Sequence, residues 1–132
     1  MPNVLIVEDN LDSADVLERF LLKHGYTVNA VPNGREALVA LTSEAPPDVI
    51  LLDLRMPEMD GLQFLEVVRG YLRWTDLPVI IVTAYADEGL AERAAKLGVE
   101  RVFHKAALDL QELREAIERV TPANGNAPAG GR

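Results

Sequence analysis

The residues of this 132-residue chain that could do chemistry sit directly after short apolar runs. Glu8 and Asp9 follow Val4 to Val7, Asp53 follows Val49 to Leu52, Thr83 follows Val79 to Val82, and Lys105 follows the weaker run Arg101 to His104. If those runs lie side by side, three carboxylates, one hydroxyl and one ammonium converge with a formal charge of −2. Carboxylates packed together without compensation repel one another and force a pKa upward. A hard divalent cation removes that penalty. Mg²⁺ suits the set, because it takes oxygen ligands and is commonly held by one or two carboxylates together with phosphate oxygens. With no cysteine in the chain and neither histidine beside the acids, zinc is disfavoured. The lysine and the hydroxyl are then available as donors to a transferring phosphoryl group. A carboxylate in such a site can itself be the nucleophile, forming an aspartyl phosphate.

Positioning these groups requires the runs to be neighbouring strands. Val4 to Val7, Val49 to Leu52 and Val79 to Val82 are rich in β-branched residues and continuous instead of alternating, as strands buried on both faces of a parallel sheet must be. Tyr26 to Val31 and Arg101 to His104 bring the candidates to five. Between them the period turns helical. Ala14, Leu17 and Leu21 share a face before Gly25; Ala37, Leu38 and Leu41 mark a second segment; Leu62, Leu65 and Val68 mark a third before Gly70. A fourth, from about Asp87 to Leu97, clusters Ala91, Ala94 and Ala95 ahead of Gly98, and a fifth carries Leu110, Leu113, Ile117 and Val120. Strict β-α alternation predicts a parallel sheet with helices on both faces, joined by right-handed crossovers. Five strands are too few for a barrel and suit an open, doubly wound α/β sheet. Such sheets bind ligands outside the carboxyl ends of their strands, where the reactive residues fall.

Composition narrows the partners. Lys plus Arg number 13 against 21 Asp plus Glu, a formal charge of −8, which argues against direct nucleic-acid binding through the phosphate backbone. The apolar content of 48% excludes wholesale disorder, and the length suits one domain. No stretch approaches the roughly 18 apolar residues of a membrane span, and the first apolar run is short for a signal peptide. A cytoplasmic location without membrane contact is therefore expected. Residues 121–132 carry no apolar period and read as a disordered tail or linker stub after a single domain over residues 1–120. Neither G-x-x-x-x-G-K-[ST] nor a strand-linked G-x-G-x-x-G is present.

The run Asp53-Leu54-Arg55-Met56-Pro57-Glu58-Met59-Asp60-Gly61, with Glu8-Asp9, Thr83-Ala84 and Lys105 at their places, resembles the receiver domains of two-component response regulators of the single-domain, chemotaxis-regulator-like kind. The resemblance covers about residues 2 to 120. It implies a flavodoxin-like (βα)5 fold with strand order 2-1-3-4-5. It further implies that Asp53 is the phosphoacceptor, that Asp9, Asp53 and the backbone carbonyl of Arg55 ligate Mg²⁺, and that Glu8 acts at the metal through water. Thr83 would bond a phosphoryl oxygen after moving inward, Lys105 would neutralise another, and the small Ala84 would leave access. The implied partners are a histidine kinase or phosphotransfer protein, and a downstream protein reading the face of the fourth helix, fifth strand and fifth helix. A monomer or weak homodimer is implied, and a regulatory phosphoacceptor instead of an enzyme acting on others.

Some positions depart from that pattern. Ala106 follows Lys105 where the family has proline, so a trans peptide is expected, a non-proline cis bond costing about 2.5–4 kcal/mol. Val102 replaces an aromatic residue whose rotamer reports activation in the family. Arg55 and Tyr85 match positions that flank the path of a hydrolytic water, and their bulk implies slow self-dephosphorylation.

Taken singly, each feature has an ordinary explanation: Glu8-Asp9 as a solvated turn, Asp60 as a helix cap, Lys105 as a surface lysine. Their co-occurrence on four strand ends reverses that. His24, at a helix end, and His104 are read as structural, Trp74 as packing, and Arg69 to Arg73 as a solvated helix end. Two rival functions remain. An Asp-nucleophile metal-dependent phosphohydrolase characteristically carries an acid two residues after the nucleophile, where Arg55 stands. A phosphorylation-independent interaction module normally lacks one of the acids, the acceptor or the lysine, all of which are present.

Overall fold

Successive side chains of a strand point to opposite faces, and the apolar runs divide accordingly between two cores. Val4, Ile6, Val49, Leu51, Ile80, Val82 and Phe103 pack on one side with Ala14, Leu17 and Leu21 of one helix and Leu113, Ala116 and Ile117 of another. Leu5, Val7, Ile50, Leu52, Val79 and Ile81 pack on the other with Ala37, Leu41, Leu62, Phe64, Leu65, Val68 and Ala94. The computed structural model describes residues 2–43, 46–56, 59–71, 74–84 and 88–121, with Glu88 described in its backbone alone. Along them run β1 (Asn3–Val7), α1 (Leu11–Lys23), β2 (Thr27–Val31), α2 (Gly34–Leu41), β3 (Val49–Leu52), α3 (Gly61–Arg69), β4 (Val79–Thr83), α4 (Glu88–Lys96), β5 (Arg101–His104) and α5 (Leu110–Val120). The strands are parallel in the order β2-β1-β3-β4-β5, the flavodoxin-like arrangement, with α1 and α5 on one face and α2, α3 and α4 on the other. The central β1, β3 and β4 are buried almost throughout, whereas the edge strand β2 is largely exposed.

Short polar side chains start the helices. Asn10, Asn33, Asp60 and Asp109 each cap a helix by accepting from a backbone N–H of its first turn, which satisfies donors that have no partner within the helix. Asp60 does so in a capping box with Gln63. Gly25 and Gly98 follow α1 and α4 with φ of 90° and 83°, the left-handed conformation that ends helices. The peptide between Lys105 and Ala106 is trans, as expected, and leads into a single 3-10 turn, Lys105–Ala107.

Three readings are revised. Ala95 faces solvent, so only Ala94 of the α4 alanines is fully buried. Phe64, outside the predicted stripe of α3, is also fully buried, because α3 packs between neighbours and hides a wider face. Arg69 is only partly solvated: its guanidinium donates to the carbonyls of Leu97, Trp74 and Gly98 at 2.7, 3.1 and 3.2 Å. Trp74 packs beside the α3 core with its ring centroid 5.1 Å from that of Tyr71. The start of the fourth helical segment at Asp87, the residues Leu72 and Arg73, and the tail 122–132 lie outside the described residues.

Gly61 sets where α3 begins. Its amide donates to the Leu54 carbonyl at 3.0 Å, and a methyl group there would press into the Asp53 carbonyl oxygen and come within 2.7 Å of the Leu54 Cα. Both obstacles are backbone and cannot rotate aside. Gly61→Ala is expected to cost about 1–3 kcal/mol of stability, checked by chemical denaturation, because overpacking against backbone has no cheap relaxation.

Candidate functional site

Parallel pairing brings the ends of β1, β3, β4 and β5 to one edge of the sheet. The Asp53 amide donates to the Val7 carbonyl at 3.0 Å, extending the β1–β3 ladder by one residue and seating Asp53 beside Glu8 and Asp9. Asp53 is 5% exposed, Glu8 3% and Thr83 0%, so three polar residues are buried where the fold is otherwise apolar. Buried polar groups need partners. The Thr83 hydroxyl donates to Asp53 Oδ1 at 2.9 Å, and the Arg55 amide approaches the same oxygen at 3.3 Å. The Lys105 ammonium lies 3.4 Å from Asp53 Oδ2 and 2.5 Å from Glu8 Oε1. The second oxygen of Glu8 accepts from the Asn10 amide at 3.0 Å.

The sequence-predicted residues Glu8, Asp9, Asp53, Thr83 and Lys105 thus meet, and an open concavity beside them is lined by Glu8, Asp9, Asn10, Asp53, Arg55, Met56 and Lys105. The Thr83 hydroxyl points at the Asp53 carboxylate. Ala84 and Arg55 are exposed, and His104 points away to solvent. Val102 is half-buried against the α2–α4 core and brings no aromatic ring to β5. Pro57, Glu58 and Tyr85 lie outside the described residues. Sequence reasoning missed Asn10, whose cap role was visible in its type but whose amide contact with Glu8 depends on the turn after β1.

Electrostatics follow from burial. Desolvation is the largest influence on Glu8, with the Asp53 charge also opposing ionisation, and together they raise its pKa from 4.5 to about 7 despite the hydrogen bonds from Lys105 and Asn10. For Lys105, burial works against the charge, but the hydrogen bond with Glu8 and the charges of Asp53 and Glu8 outweigh it and raise the pKa. Carboxylate oxygens of Glu8, Asp9 and Asp53 lie within 4.8 Å of one another, an all-oxygen donor set facing the concavity. That set matches a hard cation with remaining water ligands.

A flavodoxin-like sheet bearing buried acids, a hydroxyl and a lysine at its carboxyl edge defines the receiver class of signalling domain. The chain belongs to the response regulator receiver domain family, whose profile matches residues 4–118. It is 33% identical over 123 residues to sporulation initiation phosphotransferase F of Bacillus subtilis, covering 93% of this chain and 96% of that protein. It is 38% identical over 117 residues to the DNA-binding transcriptional regulator NtrC of Proteus hauseri, covering 89% of this chain and 24% of that protein. The chain therefore spans about a quarter of the length of some relatives and nearly all of others. Among solved structures, it is similar to the receiver domain of a sensor histidine kinase from Pseudomonas aeruginosa, described with a magnesium ion coordinated in the active-site cleft. The TM-score is 0.79 at 30% identity, covering 90% of this chain and 96% of that one. Receiver domains of two-component signalling are regulatory phosphoacceptors. No helix among the described residues is long and apolar enough to cross a membrane.

The raised Glu8 pKa has a thermodynamic consequence. Between its unfolded value near 4.5 and its folded value of about 7, the native state holds a proton that the unfolded chain has released. Stability is therefore expected to fall as pH rises through that window and to level off above it. Urea denaturation across the window should show this slope in the native sequence, and Glu8→Gln should flatten it.

Proposed function

We propose that Asp53 accepts a phosphoryl group from a phosphohistidine of a histidine kinase or phosphotransfer protein, in a reaction assisted by Mg²⁺, and that the modified domain is read by a downstream protein. The observation that carries this reading is the buried Asp53 carboxylate with Thr83 on one oxygen and Lys105 on the other, beside two further acids. In the transfer, a carboxylate oxygen of Asp53 bonds to phosphorus while the phosphorus–nitrogen bond breaks and the imidazole leaves. Lys105 then faces one oxygen of the added group, and the Thr83 hydroxyl exchanges its bond to the carboxylate for one to the phosphoryl group. Asp9, Asp53 and the Arg55 backbone carbonyl are the proposed ligands of the cation, with Glu8 acting through water. When bound, Mg²⁺ neutralises charge on the phosphoryl oxygens.

Replacing one carboxylate charge with about two changes the field at the end of β4, from which the chain runs on to α4. The proposed readout surface is the face of α4, β5 and α5. We assign the receiver unit to residues 1–120, supported by the family match over 4–118. A cytoplasmic monomer or weak homodimer fits this role. Arg55 lines the concavity, and its bulk beside the acceptor supports slow self-dephosphorylation.

Incubation with acetyl phosphate and Mg²⁺, followed by intact-mass measurement, is expected to give one phosphoryl adduct on the native chain and none on Asp53→Asn. No adduct, or equal adducts on both, would defeat the reading. Lys105→Met is expected to slow adduct formation at least tenfold. Arg55→Ala should shorten the adduct's lifetime severalfold, measured by its decay after the donor is removed.

A further inference from the structure

The strongest feature outside the acidic edge is the Arg69 guanidinium at the end of α3. It is half-buried and donates from all three nitrogens to backbone carbonyls of two other segments: Leu97 and Gly98 after α4, and Trp74 in the connection to β4. Carbonyls at a helix C-terminus have no partner within the helix, and the partial negative charge there favours a cation. The planar, always-charged guanidinium suits such a three-way contact as an ammonium does not. Burial opposes its charge, while Asp76 and Glu100 favour it.

The helix it holds is otherwise lightly anchored. Of the described α4 side chains only Ala94 is fully buried, and Leu90 and Ala91 are half-buried. Ala94 is a single methyl group where α3 buries Leu62, Phe64, Leu65 and Val68. At the other end, α4 follows Thr83, whose hydroxyl is bonded to Asp53. The next turn of chain at the C-terminal end is fixed by the left-handed Gly98 and by the Glu100 amide donating to the Val79 carbonyl at 2.8 Å.

We infer that Arg69 is a pivot pin: it fixes the C-terminal end of α4 to α3, so that a change at Thr83 swings the N-terminal end of α4 about Leu97–Gly98 instead of sliding the whole helix. The inference rests on the reading of Asp53 as phosphoacceptor for its trigger, while the pin itself does not. It makes Arg69 a positioning residue for the output face, remote from the reacting atoms.

Amide hydrogen exchange on the native chain, Arg69→Lys and Arg69→Gln, each with and without acetyl phosphate and Mg²⁺, tests it, with intact mass recording the adduct in the same samples. Without the donor, Arg69→Gln is expected to speed exchange in the peptide covering residues 94–98 at least tenfold, and Arg69→Lys by less, since a lysine can hold fewer carbonyls. With the donor, the native chain is expected to change exchange in the first half of α4 and to keep 94–98 within twofold, whereas Arg69→Gln changes both while forming the same adduct. Exchange at 94–98 unaltered in Arg69→Gln, or a native adduct that loosens both ends of α4 equally, would overturn the pivot. Absence of the adduct from the native chain would defeat the phosphoacceptor reading and the swing it triggers, and the comparison without donor would still decide the pin.

Discussion

The structure depends on one electrostatic arrangement, a lysine ammonium shared by two buried carboxylates. Glu8 and Asp53 are almost wholly removed from water, and a desolvated carboxylate is costly unless it is paired and hydrogen-bonded. Lys105 supplies the pairing from the far end of β5, at 2.5 Å from Glu8 and 3.4 Å from Asp53. That contact requires β1, β3, β4 and β5 to end at a common edge, which the order β2-β1-β3-β4-β5 achieves. Thr83 completes the satisfaction of Asp53 from β4. The two apolar cores hold the strands in the register that makes the arrangement possible.

The same arrangement leaves the site poised for charge exchange. One ammonium serves a cluster of three acids, and the pKa of Glu8 is raised chiefly by burial, with the neighbouring Asp53 charge adding to it. An added cation relieves this excess, and an added phosphoryl group restores it. On the proposed reading, phosphorylation acts first on Thr83 and Lys105, which directly precede the segments leading to α4 and α5. The change in charge is local, but the elements that feel it are long.

Much of this was legible in the sequence because its causes are local. Val4 to Val7, Val49 to Leu52 and Val79 to Val82 are continuous apolar runs, and only strands hidden on both faces need them, so sheet type and helix placement followed. The site was legible because the reactive residues directly follow those runs. Arg69 was not, since a basic residue at a helix end reads as solvated, and its partners Leu97 and Gly98 are distant in sequence and lie in the turn after α4. Nor was the need for Gly61, which arises from the approach of α3 to the backbone of Asp53 and Leu54. Ala91, Ala94 and Ala95, spaced i, i+3 and i+4, share one helical face, yet only Ala94 is fully buried and Ala95 stays exposed, because α4 packs on the sheet over a narrower stripe than its sequence offers.

The central claim is that the carboxylate held between Thr83 and Lys105 is the group that is modified. Borohydride reduces an acyl phosphate to the alcohol, converting an aspartyl phosphate to homoserine, so reduction after treatment with acetyl phosphate and Mg²⁺ marks the modified position permanently. Peptide sequencing by mass spectrometry should find homoserine at position 53 and at no other acid. Reduction at Glu8 or Asp9, or no reduced residue in a chain that carries the phosphoryl adduct, would contradict the account.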